Sequence, residues 1–212
     1  MDNMNNVLIV GAHFDDAELG VGATAAKLVA RGKNVYKITL TDNVTRFEQK
    51  NIAVDYASSV TQSSNACKIL GVVELEFEPV PCNTLVYETK VMQRIEKVIF
   101  DYDIDTIFMH FNSDMNQDHI AANKLCLTAA RHCKNIIQYQ SNGYVLDNVY
   151  YPTYFVDVSD YIEIKKRALM CYGEEHNRFN RLFETSIDRC RVWGYANEVE
   201  YAEGFNVIKM LE

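Results

Sequence analysis

The stretch Val7-Leu8-Ile9-Val10-Gly11-Ala12-His13-Phe14-Asp15-Asp16-Ala17-Glu18-Leu19-Gly20 decides how this chain is read. Four apolar residues in a row, closed by a glycine, have the length and flanks of a buried strand. Residues 5–10 are read as that strand. Residues 18–31 are read as a helix, with Leu19, Ala23, Ala26 and Val29-Ala30 at helical spacing and Gly32 as its stop. Between them, one His and two adjacent carboxylates sit at the strand's exit. Like charges this close are costly unless a cation or a proton shares the site. The segment therefore reads as a divalent-metal site with a further carboxylate beside it, the mark of a metal-dependent hydrolase.

Outward from this segment, strands and helices alternate. Strands are expected at 35–40, 74–78, 106–109 and 136–139. Helices are expected at 56–70, 88–100 and 118–132, and Thr41 to about Asp55 is expected to be a polar loop. Such alternation predicts an α/β fold: a three-layer, Rossmann-like arrangement with a mostly parallel sheet. After Pro152 the order changes. A strand is expected at 154–158, a helix capped by Ser159 running to about Tyr172, a helical stretch at 175–193, and a short last strand at 205–208. No boundary divides the chain, so residues 1–212 are expected to form one domain.

Composition narrows the function. The 212 residues carry a net charge of −8 with no Lys/Arg-rich run, which argues against a nucleic-acid or anionic-membrane surface. No apolar stretch approaches the roughly 18 residues of a membrane-spanning helix. Met1 to Asn6 lacks the basic-then-apolar pattern of a signal peptide. None of the six cysteines forms a Cys-x-x-Cys pair, so they are expected to be reduced thiols in a cytoplasmic protein. The oligomeric state is left open, and a homo-oligomer is compatible with the composition.

A second polar cluster, Asp114-Met115-Asn116-Gln117-Asp118-His119, follows the strand at 106–109. Ligands of parallel sheets bind at the carboxyl ends of strands. Both clusters lie at that edge, so His13, Asp16 and His119 can meet there. Two imidazoles and one carboxylate are the protein ligands of a catalytic zinc site with an open position for water. Zinc lowers the pKa of that water to about 7. Asp15, directed away from Asp16, is then the general base. Plainer readings exist. His13 could be a structural histidine, and Asp15, Asp16 or Asp118 a helix cap.

These residues resemble the LmbE-like (PIG-L) zinc-dependent deacetylase family, whose members remove acetyl groups from N-acetylglucosamine-type sugars. Ala12-His13-Phe14-Asp15-Asp16 with Glu18-Leu19-Gly20 and Gly22 is similar to the family's opening Ala-His-Pro-Asp-Asp motif. Asp114 to His119 occupies the place of the second motif. Thr41-Asp42-Asn43 is similar to its Thr-Asp-Gly, and Tyr201-Ala202-Glu203-Gly204-Phe205 to its Ala-Glu-x-Phe. Phe155-Val156-Asp157-Val158, with Lys165 or Lys166 and Ala168-Leu169, also fits. The resemblance implies an LmbE-like fold, Zn2+ as cofactor on His13, Asp16 and His119, Asp15 as base, and a small-molecule N-acetyl sugar or sugar conjugate as partner.

Departures from the family pattern bear on mechanism. Phe14 replaces a proline. Asn116 stands where many members have a His, and Asn cannot carry a proton at neutral pH. Asp15 is therefore expected to act as both base and acid, with Asn116 helping to polarise the oxyanion and Asp118 orienting a neighbour. A substrate-binding Arg is absent from 58–64, and Arg46 could replace it. His110 is expected to line the pocket, and His176 to reach the site from the C-terminal segment. Two rival readings stay open: deacylation of a non-sugar amide, and a non-hydrolytic nucleotide-binding protein. The ligand set also accepts other divalent ions.

Overall fold

The apolar run forms the centre of the sheet. The computed structural model describes residues 1–50, 52–144, 148–173 and 181–211. Strand β1 (Asn6–Gly11) pairs in parallel with β2 (Asn34–Thr39) on one side and β6 (Thr106–His110) on the other. Farther out, β5 (Val73–Glu74) flanks β2 and β7 (Asn135–Tyr139) flanks β6, both in parallel. Strand β9 (Ala202–Lys209) then runs antiparallel between β7 and the edge strand β8 (Tyr154–Asp157). The seven-strand order is β5-β2-β1-β6-β7-β9-β8. The architecture is the expected mostly parallel α/β sheet.

Alternation along β1 builds two cores. Val7 and Ile9 face one layer, and Leu8 and Val10 the other. The first layer holds α1 (Asp16–Ala30), α2 (Tyr56–Leu70), α5 (Ile162–Leu169) and α6 (Leu182–Ala196). The second holds α3 (Thr89–Asp101) and α4 (Gln117–Ala129). Helix α2 ends where Gly71 takes φ 74°, and a Cβ there would meet Val29 Cγ1 at 2.8 Å. Gly20 in α1 lies against the Tyr139 ring, which a Cβ would approach to 2.1 Å. Among the described residues, no helix is long and apolar enough to cross a membrane.

Several expectations need correction. The 41–55 loop contains a small antiparallel hairpin, β3 (Thr45–Phe47) and β4 (Ile52–Val54), whose short apolar alternation is masked by charged neighbours. The strand expected at 74–78 pairs with β2 only through Val73 and Glu74, and the chain meets the sheet again at an isolated parallel bridge between Val80 and Thr41. Ser159 does not cap the following helix. Its Oγ donates to Asp157 Oδ1 (2.7 Å), and the helix is flanked by 3-10 turns at Ser159–Tyr161 and Met170–Tyr172. The last strand spans eight residues and sits inside the sheet. Of the helix expected at 175–193, residues 175–180 lie outside the described residues.

Two buried ion pairs tie the first layer to the sheet. Lys37, in mid-β2, is 1% exposed and lies 2.8 Å from Glu18 Oε1. Its Nζ also lies 2.6 Å from the Phe14 carbonyl and 2.9 Å from Ser63 Oγ. Tyr172 Oη donates to the same carbonyl (2.6 Å). Lys165 in α5 pairs with Glu203 in β9 (2.7 Å) and donates to the Leu19 carbonyl (2.8 Å). Glu203 in turn accepts the N–H groups of Ala23 and Thr24 in α1 (3.2 and 2.7 Å). Of the two lysines in the sequence motif, the buried one is Lys165. Removing one partner of a buried pair strands the other charge, at about 3–5 kcal/mol. Lys37→Met is therefore expected to lower the melting temperature by roughly ten degrees, and adding Glu18→Met should recover most of it. Thermal denaturation of the three proteins checks this, and an unshifted Lys37→Met melt contradicts it.

Candidate active site

Strands β1 and β6 are neighbours, yet the chain leaves them toward opposite sides of the sheet. A crevice opens at their carboxyl ends for that reason. The 11–16 segment comes from β1, and the 111–119 segment from β6. Between them lies a cavity of about 160 Å3 lined by His13, Asp15, Asp16, Asn116 and His119, among others.

Three side chains converge on its floor. His13 Nδ1 and His119 Nε2 are 3.2 Å apart, His119 Nε2 and Asp16 Oδ1 3.2 Å, and His13 Nδ1 and Asp16 Oδ2 3.4 Å. The far nitrogen of each imidazole meets a carboxylate. His13 Nε2 lies 3.2 Å from Asp118 Oδ2, and His119 Nδ1 3.0 Å from Asp114 Oδ2. These partners hold the protons on the outer nitrogens and turn both lone pairs inward. At 3.2 Å the two inner nitrogens need either a shared proton or a cation between them. Ligand atoms 2.0–2.1 Å from one tetrahedral ion stand about 3.3 Å apart, so His13, Asp16 and His119 fit a divalent metal.

The supports are specific. Asp118 does not cap α4; Asn116 does, accepting the Asp118 N–H at its Oδ1 (2.8 Å). The Asp118 carboxylate instead accepts the N–H groups of Asn83 (2.7 Å) and Leu85 (3.2 Å). Asp15 occupies the α1 cap position but makes no side-chain cap bond, whereas Asp16 Oδ2 accepts the His13 N–H (2.7 Å). Asn142 Nδ2 lies 2.8 and 2.9 Å from the two Asp114 oxygens. Nothing in the sequence pointed to Asn142. The role of Asp114 could have been found from its place in the second cluster, five residues before His119.

His110 is buried beneath the site rather than lining the cavity. Its ring stacks on His119 at 4.0 Å, and its Nε2 accepts the Ala12 N–H (3.0 Å). The cause is its inward position at the end of a fully buried strand. Burial and the neighbouring His119 push its pKa down to about 4, which keeps it neutral. Arg46 is exposed on β3 and, among the described residues, is not part of the cavity wall; its strand neighbours Thr45 and Phe47 are. His176 lies outside the described residues.

Electrostatics match the geometry. Burial disfavours a charged His119, but Asp16 and Asp114 outweigh it and raise its pKa to about 9. Asp114 also resists burial, and its bonds to His119 and Asn142 hold it down to about 2. In the metal-free protein His119 thus binds its proton more tightly folded than unfolded. That stability is complete below about pH 6.5 and is lost as the pH rises through about 9. Chelator-treated protein is therefore expected to melt at falling temperature between these values, with His119→Gln reducing the slope and His13, which despite burial Asp118 and Asp16 also hold protonated, supplying the rest. A level profile for the unsubstituted protein contradicts this.

Comparison with known proteins places the chain. Residues 8–130 match the PIG-L family, GlcNAc-PI de-N-acetylase. The "Uncharacterized deacetylase YaiS" of Escherichia coli K12 is 27% identical over 173 residues, covering 77% of this chain and 88% of that protein. N,N'-diacetylchitobiose deacetylase from Pyrococcus horikoshii has a similar structure, with a TM-score of 0.80 at 20% identity over 98% of this chain and 85% of that one. So does GalB, the 4-carboxy-2-hydroxymuconate hydratase of Pseudomonas putida, with a TM-score of 0.81 at 16% identity over 99% and 98%. At these identities the two structures speak for the fold alone, and the fold hosts more than one reaction. The family match spans more than half of the chain and takes in both polar clusters, so this protein belongs to the PIG-L (LmbE-like) deacetylase family.

Proposed function

We propose that the protein is a metal-dependent hydrolase that removes the acetyl group from an N-acetylated amino sugar. His13, Asp16 and His119 hold the ion, zinc being the metal their donor set suits best, and Asp15 carries the proton. The observation that carries this reading is the meeting, at 3.2–3.4 Å, of one nitrogen from each of two imidazoles with the Asp16 carboxylate, each imidazole being fixed on its far side by another carboxylate. When bound, zinc would supply Lewis acidity to the scissile carbonyl and lower the pKa of a water.

The chain's own residues do the rest. Asp15, in the wall of the same cavity, takes a proton as the water oxygen bonds to the acetamide carbonyl carbon. It returns that proton to the nitrogen as the C–N bond breaks, leaving acetate and a free amine. Asn116 spends Oδ1 on its cap, so its Nδ2 hydrogens are what it offers to the developing oxyanion. The wall also carries Asn43, Asn83 and Asn142 with Phe47 and Tyr144, groups that suit the hydroxyls and apolar faces of a neutral sugar. The cavity is smaller than the roughly 300–1,000 Å3 of a whole-ligand pocket. It therefore suits the scissile end of a larger molecule. Six unpaired cysteines suit a reducing cytoplasmic setting.

Incubating the zinc-loaded protein with a panel of N-acetyl sugars, sugar conjugates and non-sugar amides, with detection of free amine, tests the reading. Amine is expected from the sugars; release from non-sugar amides alone removes the sugar from the proposal. Asp15→Ala is expected to lose at least 100-fold in kcat while still binding about one zinc per chain. Unchanged turnover in that variant contradicts the role of Asp15.

Ser141 allows a separate check. Its Oγ is buried in the cavity wall with no hydrogen-bond partner among the described residues. A substrate hydroxyl would satisfy it. Ser141→Ala is expected to raise KM several-fold at little cost in kcat and to raise the melting temperature slightly. An unchanged KM removes this contact.

A further inference from the structure

Arg189 lies on α6, a helix that contributes no donor to the metal site. Its guanidinium is turned into the protein and half-buried against the turn that follows β7. There it donates to three successive backbone carbonyls: Gln140 (3.3 Å), Ser141 (3.0 Å) and Asn142. It also reaches Gln140 Oε1 (3.2 Å). Among the described residues, no carboxylate lies within ion-pair distance of it. Besides these carbonyls the guanidinium has the Trp193 ring face at 5.9 Å, and a partly buried cation without a carboxylate is a costly way to close a turn. What the turn presents is specific. Asn142 Nδ2 lies against both oxygens of Asp114, and Asp114 Oδ2 faces His119 Nδ1 at 3.0 Å. A continuous relay therefore runs from the guanidinium to the inward-facing lone pair of His119.

We propose that Arg189 is a positioning residue for the metal site, acting through Asn142 and Asp114 to aim His119. The inference rests on the metal-site reading above. With three fixed donors, the planar guanidinium sets the path of the turn. The turn sets where the Asn142 amide stands. The amide leaves Asp114 one orientation in which an oxygen faces His119. Loosening the far end lets the imidazole swing, which weakens metal binding without removing any ligand.

The test measures zinc affinity by competition with a chromogenic chelator for the unsubstituted protein, Arg189→Met, Asn142→Ala and the double variant. Visible spectra of the cobalt-substituted proteins report the ligand geometry. Each single substitution is expected to weaken zinc binding by about tenfold or more and to alter the cobalt spectrum. The double variant should lose no more than the weaker-binding single, because both cut one relay. Arg189→Met with unsubstituted zinc affinity overturns the proposal, and so does a double variant whose loss equals the product of the singles. If Arg189→Met does not fold, Asn142→Ala leaves the Arg189 carbonyl contacts in place and decides alone: unchanged zinc affinity there overturns the relay. Failure of the unsubstituted protein to bind zinc overturns the metal reading and this inference with it. Zinc binding insensitive to these substitutions overturns the inference only.

Discussion

The Lys37–Glu18 ion pair is the constraint on which the site depends. Lys37 comes from β2, Glu18 from the first turns of α1, and both point into the same dry layer. The His13–Asp16 segment immediately precedes Glu18 in the chain, and its Phe14 carbonyl is held by Lys37 and Tyr172 together. A loop crowded with a His and two acids would otherwise relax toward solvent. Here its backbone is fixed at mid-loop from inside the protein, so His13, Asp15 and Asp16 leave a rigid frame. Burial disfavours both charges of the pair, and mutual attraction with added hydrogen bonds keeps the Lys37 ammonium charged.

Around that frame the polar residues divide into two shells. The inner set is His13, Asp16 and His119, which stand close enough together to hold one small cation. The outer shell is a set of carboxylates, Asp114 and Asp118, that fix which imidazole nitrogens face inward. The outer carboxylates are themselves held, Asp118 by N–H groups of Asn83 and Leu85, Asp114 by Asn142. Negative charge is thus concentrated where a metal would repay it, and neutral His110 is stacked beneath as packing. A fold shared with a hydratase does not dictate this chemistry. The donor set and its neighbours do.

The second buried pair plays a matching part farther along the first half of α1. Glu203 accepts backbone N–H groups from the middle of the helix, and Lys165 takes its Leu19 carbonyl. Side chains from β9 and α5 therefore substitute for water along a helix that is buried on nearly every side. Gly20 and Gly22 fit this crowding, since Cβ atoms there would press on Tyr139 and Lys165. The glycine-rich sequence after the acidic motif reflects close packing, not a phosphate turn.

The sequence by itself determined the sheet, because apolar strand runs and amphipathic helices are local patterns of period two and 3.6. It also determined the candidate ligands, because His13, Asp16 and His119 sit just past strand ends and a parallel sheet gathers those ends at one edge. Short elements escaped it. The β3–β4 hairpin and the two-residue β5 take their form from neighbours that periodicity does not register. No local pattern marks Lys37 or Lys165 as buried, and only the packing of distant segments buried them. Tertiary structure alone showed that Arg46 faces outward and that His110 lies underneath. It alone brought Asn142 and Arg189, far along the chain, to the back of His119. Hydrogen bonds across such sequence distances leave no periodic trace, so only the folded chain decides them.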